Sequence, residues 1–91
     1  MKFKILYTQS YNRKAARFIR RHPDLVTQYE KTLKLMEANP FHPSLRLHRL
    51  TGPLGELHSV SINLSYRITL VFLLEDETII PVDVGKHGEV Y

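Results

Sequence analysis

Ninety-one residues with 43% hydrophobic and 24% charged side chains fit one soluble globular domain rather than a disordered tail. The chain contains no cysteine, which excludes disulfides, thiolate zinc sites and cysteine nucleophiles. Residues 1–50 carry eleven Lys/Arg against Asp24, Glu30 and Glu37, a net of +8. Residues 51–91 carry Arg67 and Lys86 against six acids, a net of −4, so the whole chain is +4. A basic half of this kind fits a polyanionic partner, since neutralising phosphates releases counterions, or else a merely solvated helix face. No apolar run approaches the roughly 18–20 residues of a membrane span, and MKFKILYTQS lacks a signal-peptide core. A cytoplasmic location with no membrane partner is expected.

Phe3, Ile5 and Tyr7 alternate with Lys2, Lys4 and Leu6, which predicts a short first strand with one buried face. Ser10 is the expected cap of a helix whose apolar positions are Tyr11, Ala15, Phe18 and Ile19. Its other faces carry Arg13, Lys14, Arg17, Arg20 and Arg21. His22-Pro23 breaks this helix, because the residue before proline is pushed out of the helical region. Pro23 and Asp24 suit the first turn of a second helix, with Leu25, Val26, Tyr29, Leu33 and Met36 as its stripe. Asn39-Pro40 ends it, leaving a helical hairpin.

Residues 40–56 hold three of the five prolines and two of the four glycines and read as a connection without an element of its own. Three strands follow, at 57–63, 66–74 and 78–84, joined by short turns as an antiparallel meander. The first sets His58, Val60 and Ile62 against Ser59 and Ser61; the second sets Tyr66, Ile68, Leu70 and Phe72 against Arg67, Thr69 and Val71. Pro81 predicts a last strand that is bulged or exposed on part of one edge. The order β-α-α-β-β-β makes an α+β domain: a helical hairpin on one face of a small, mostly antiparallel sheet, with Ser59, Ser61 and Arg67 on the other.

The chain has no Gly-rich phosphate loop, no HExxH and no GxSxG. His22, His42, His48 and His58 are too scattered to form a metal site by spacing, and any one of them reads first as solvated or hydrogen-bonded. Arg67 falls mid-strand among apolar residues and needs a partner. Asp83 on the neighbouring strand is one, and a phosphate in a concave face is the other. Beyond the last strand, Lys86, His87 and Tyr91 combine a cation, a group that moves protons near neutral pH and an aromatic that stacks on bases. The set suits RNA cleavage by attack of the 2′-hydroxyl on the adjacent phosphodiester.

Three stretches resemble the RelE/ParE superfamily of bacterial type II toxins: Leu50-Thr51-Gly52, Ser65-Tyr66-Arg67-Ile68, and Val84-Gly85-Lys86-His87 with Glu89-Val90-Tyr91. The element order resembles the family's along the whole chain. RelE-like and YafQ-like members are ribosome-dependent mRNA endonucleases that cut in the A site without a metal, so the resemblance implies neither metal nor cofactor. It implies that Arg67 stabilises the scissile phosphate, that Tyr91 stacks on the mRNA base, and that His87 is an acid/base histidine, as in YafQ-like members. His48, in His48-Arg49-Leu50-Thr51-Gly52, matches a second YafQ-like histidine. For RNA and phosphate binding the candidates are Lys86, Arg46, Arg49, Arg13, Arg17, Arg20 and Arg21. The sequence departs from the family at Ser59 and Ser61, where RelE has lysines, at Ser65, where YafQ has an aspartate, and at Asp83, where YafQ has an arginine. ParE-like members share the fold but bind DNA gyrase, which is the alternative reading. The resemblance also implies a cognate antitoxin, with which the chain would form a hetero-oligomer, and the ribosome and mRNA as further partners.

Overall fold

The computed structural model describes residues 2–52 and 56–86. The chain opens with β1 (Lys4–Ile5), which buries Phe3 and Ile5 and pairs in parallel with the last strand. Tyr7 departs from the expected buried face: the strand stops at Ile5, and Tyr7 sits exposed on the approach to the helix. The cap is Thr8 rather than Ser10. Its Oγ1 accepts the Tyr11 N–H at 3.0 Å, which starts α1 (Gln9–Arg21) two residues before the expected point. Tyr11 and Phe18 are buried, with Ala15 and Ile19 packed beside them, as the spacing predicts.

His22 ends α1, donating its N–H to the carbonyls of Phe18 and Ile19. Pro23–Leu25 form a single 3₁₀ turn, and α2 runs over Val26–Ala38. Tyr29 and Met36 are buried, but Val26 is exposed and Thr32 takes the inward position between them. Thr32 is satisfied there because its hydroxyl donates to the Gln28 carbonyl at 2.8 Å. The phenols of Tyr11 and Tyr29 meet at 2.7 Å and tie the two helices together. Burial raises both phenol pKa values, so the contact stays neutral.

The 40–56 segment is not bare connection, as expected from its prolines. It contains a 3₁₀ turn (Pro43–Leu45) and a two-residue strand, β2 (His48–Arg49). β3 (Leu57–Ser61), β4 (Tyr66–Leu73) and β5 (Thr78–Lys86) then form the meander, and the sheet order is β1-β5-β4-β3-β2. Among the described strands only the β1–β5 pair is parallel. β3 stops short of its expected end because Asn63 Oδ1 accepts the N–H groups of Ser65 and Tyr66, closing a turn. The expected α+β architecture holds, with one extra edge strand.

Pro81 is accommodated as its chemistry requires. β1 pairs only with Thr78 and Ile79, so among the described residues no strand covers the edge of β5 away from β4 from Pro81 onward. The β4–β5 register then slips, with Pro81 opposite Leu70 and Asp83 opposite Thr69, leaving Val82 as the extra residue of a bulge. The Val82 carbonyl accepts from Lys14 Nζ at 3.1 Å, which holds α1 against this edge. Among the described residues no helix is long and apolar enough to cross a membrane.

Candidate functional site

Cross-strand partners share a face, so the register sorts every candidate residue. One face packs on the helices: Val60, Ile68, Leu70, Ile79 and Val84 belong to the core, and Tyr66 and Phe72 pack against it. The other face carries two rows. His48, Ser59, Thr69 and Asp83 lie opposite one another across four strands, and Ser61, Arg67 and Gly85 form the next row. His48 and Arg67 therefore share a face. Two strand spacings and two residues along a strand put their Cα atoms roughly 12 Å apart.

This second face is polar and buried at once. Ser59 is 0% and Thr69 2% exposed, yet Ser59 Oγ and Thr69 Oγ1 have no hydrogen-bond partner among the described residues. Arg67 Nε and Nη1 are likewise buried and without a partner among the described residues. Donors held this way carry a desolvation cost that an arriving acceptor would offset. Of the two partners open to Arg67, Asp83 is not the one taken. Arg67 lies opposite Gly85, Asp83 opposite Thr69, and Asp83 Oδ1 accepts the Val84 N–H at 2.9 Å.

His48 is exposed on the edge strand, and its Nδ1–H donates to the Arg46 carbonyl at 2.9 Å. That bond selects the tautomer whose Nε2 carries the lone pair, the form a general base needs. Arg46 presents this carbonyl from a left-handed conformation (φ 51°), which costs a non-glycine residue about 1 kcal/mol. Arg49 lies opposite His58, on the helix-packed side, not beside His48.

Lys86 does not join Arg67 either. It lies opposite Tyr66, and with Lys14, Arg17, Arg21, His22 and Asp83 it lines a cleft of about 540 Å³ between α1 and the end of β5. Arg13 and Arg20 are exposed on the same helix but do not line it. Arg46 borders a separate shallow groove with Ser61 and Gln28. His87 and Tyr91 lie outside the described residues. Composition drew attention to neither Ser59 nor Thr69; the alternation marked their face, but only the fold shows that they are buried without partners.

Neither a scan against protein-family models nor a search of curated proteins finds a match. Solved structures do match over nearly the full chain. YafQ in the DinJ-YafQ toxin-antitoxin complex of E. coli superposes with a TM-score of 0.76 at 15% identity, covering 100% of this chain and 99% of that one. The toxin-antitoxin complex RelBE2 from Mycobacterium tuberculosis gives 0.70 at 15% identity, with 94% and 99% covered. The YoeB/ParE toxin from Agrobacterium tumefaciens gives 0.73 at 15% identity, with 93% and 99% covered. The helical hairpin, the meander and the parallel first strand thus make up the fold of the RelE/ParE superfamily of toxins.

Proposed function

We propose that this chain is the toxin of a type II toxin–antitoxin system and that it cleaves mRNA on the ribosome. The observation that carries this is Arg67: two guanidinium nitrogens buried without acceptors among the described residues, beside two buried hydroxyls in the same condition, on the face that also carries His48. A phosphodiester supplies the missing acceptors and the missing negative charge.

The chemistry then follows from the residues. The RNA 2′-hydroxyl attacks the adjacent phosphorus, giving its proton to His48 Nε2. The P–O5′ bond breaks, and protonated His87 supplies the proton that the 5′-oxygen takes up. The products are a 2′,3′-cyclic phosphate and a 5′-hydroxyl. Arg67 stabilises the charge that builds on the phosphoryl oxygens, and Tyr91 stacks on a base to hold the bond in line. Substituting 2′-deoxyribose at the cleaved nucleotide tests this directly. Cleavage of an A-site codon should disappear, and persistence of cutting there would contradict the mechanism.

A second reading has its own observation. Asp83 puts a carboxylate among the cations of the α1–β5 cleft, at a position where the resemblance to YafQ calls for an arginine, which opposes phosphate binding and suits a ParE-like protein that acts by binding gyrase. Inhibition of supercoiling without mRNA cleavage would favour it. Two of the matched relatives are complexes with antitoxins, DinJ-YafQ and RelBE2, which supports a cognate antitoxin as the partner of this chain as well.

A further inference from the structure

The larger concentration of positive charge lies away from Arg67. In the cleft between α1 and β5, Lys14, Arg17, Arg21 and Lys86 face a single carboxylate, Asp83, one of whose oxygens is already engaged by the Val84 N–H. Lys14 fixes the geometry by donating to the Val82 carbonyl exposed at the bulge. The cleft also has an aromatic wall. The Tyr66 and His22 rings are 4.7 Å apart between centroids, and Phe18 backs both, 5.4 Å from Tyr66 and 4.9 Å from His22. Phe18 is buried, whereas Tyr66 and His22 are half-buried and line the opening.

We infer that this cleft holds a nucleotide of single-stranded RNA, its base stacked on Tyr66 with the tilted His22 ring at its edge and its phosphates on Arg17, Arg21 and Lys86. Three features favour that ligand. A π-face accepts any base, whereas a base paired in a duplex cannot reach it. Four cations in one groove exceed what a lone phosphate needs and match a backbone passing through. The volume, about 540 Å³, is in the range of pockets that bury a ligand of nucleotide size. The choice of RNA over DNA rests on the nuclease reading above. The stacking and the charge do not.

The test is fluorescence anisotropy of the full chain with a labelled hexaribonucleotide, without ribosomes, across a salt series. Arg17→Gln with Arg21→Gln should weaken binding about tenfold or more and reduce the slope of log K against log salt by about 1.4. Lys31→Gln with Lys34→Gln, the same charge change on α2, should cost about twofold or less. Equal losses from the two double variants would reduce the effect to net charge and overturn the inference. Tyr66→Leu should weaken binding about tenfold while Tyr66→Phe retains it. A hexamer carrying 2-aminopurine should be quenched on binding to the wild type. Unquenched 2-aminopurine overturns the stacking even if Tyr66→Leu fails to fold. Full competition by adenosine monophosphate at the hexamer's own concentration would make this a mononucleotide site, and equal or tighter binding of the matching DNA would overturn the choice of RNA. A chain that binds the hexamer but never cleaves mRNA fails the nuclease reading alone. One that cleaves but shows no such binding fails this inference alone.

Discussion

At the scale of single residues, Arg67 sets function against stability. Its two unpaired nitrogens are buried in a sheet with no acceptor, so replacing it with an apolar side chain removes an uncompensated cost. Arg67→Leu is expected to leave the fold as stable or more stable, by about 1 kcal/mol or 4–8 °C in Tm, while lowering cleavage by about 10²–10⁴. Thermal melts beside a cleavage assay check this, and a large loss of stability would mean that Arg67 is structural. His58 gives a pH dependence. Burial, then the charges of Arg49 and His48, hold its pKa below the usual 6.5. The folded state resists the proton that the unfolded chain accepts, so its contribution to stability is complete above about pH 6.5 and is lost as pH falls below it. Tm should drop between pH 7 and pH 5, and His58→Leu should flatten that part of the profile.

At the scale of elements, the helical hairpin was legible because Tyr11, Ala15, Phe18 and Ile19 repeat at helical spacing and His22-Pro23 cannot continue a helix. The cap was not, because Thr8 and Ser10 are both good capping residues and only the end of β1 decides between them. Thr8→Ala should therefore cost about 1 kcal/mol, while Ser10→Ala, inside the first turn, should change stability by only a few tenths. Denaturant melts of the two variants check this. β2 was invisible in the sequence, since two residues carry no periodicity and are recognised only by pairing with β3. The bulge at Val82 was foreshadowed by Pro81, but its effect was not. It shifts the β5 register by one residue, so that Asp83 falls opposite Thr69 and Lys86 opposite Tyr66. Of the candidate site, the alternation along β4 made the face of Arg67 readable; His48 was singled out by resemblance alone, and its place on that face depended on β2. The separation of Lys86, Arg17 and Arg21 into a cleft of their own depended on that one extra residue.

At the scale of the whole molecule, the charge asymmetry of the sequence takes a spatial form. The basic half supplies α1, which lies along the edge of β5 that β1 leaves uncovered, and the sheet opposite presents Arg67 and His48. Under the proposed function, the α1 edge would hold an RNA backbone and the face of Arg67 and His48 would act on a phosphodiester. Its association with ribosomes should weaken steeply with salt, and Arg17→Gln with Arg21→Gln should make that dependence shallower. The central claim is that the molecule cuts mRNA only on the ribosome. Primer extension on a defined mRNA in a cell-free translation system, comparing the wild type with His48→Gln and His87→Ala, tests it most directly. Codon-phased cuts that require ribosomes and fall by about 10²–10⁴ in each variant are the expected result. Cuts in naked RNA, or undiminished cuts from both variants, would contradict it.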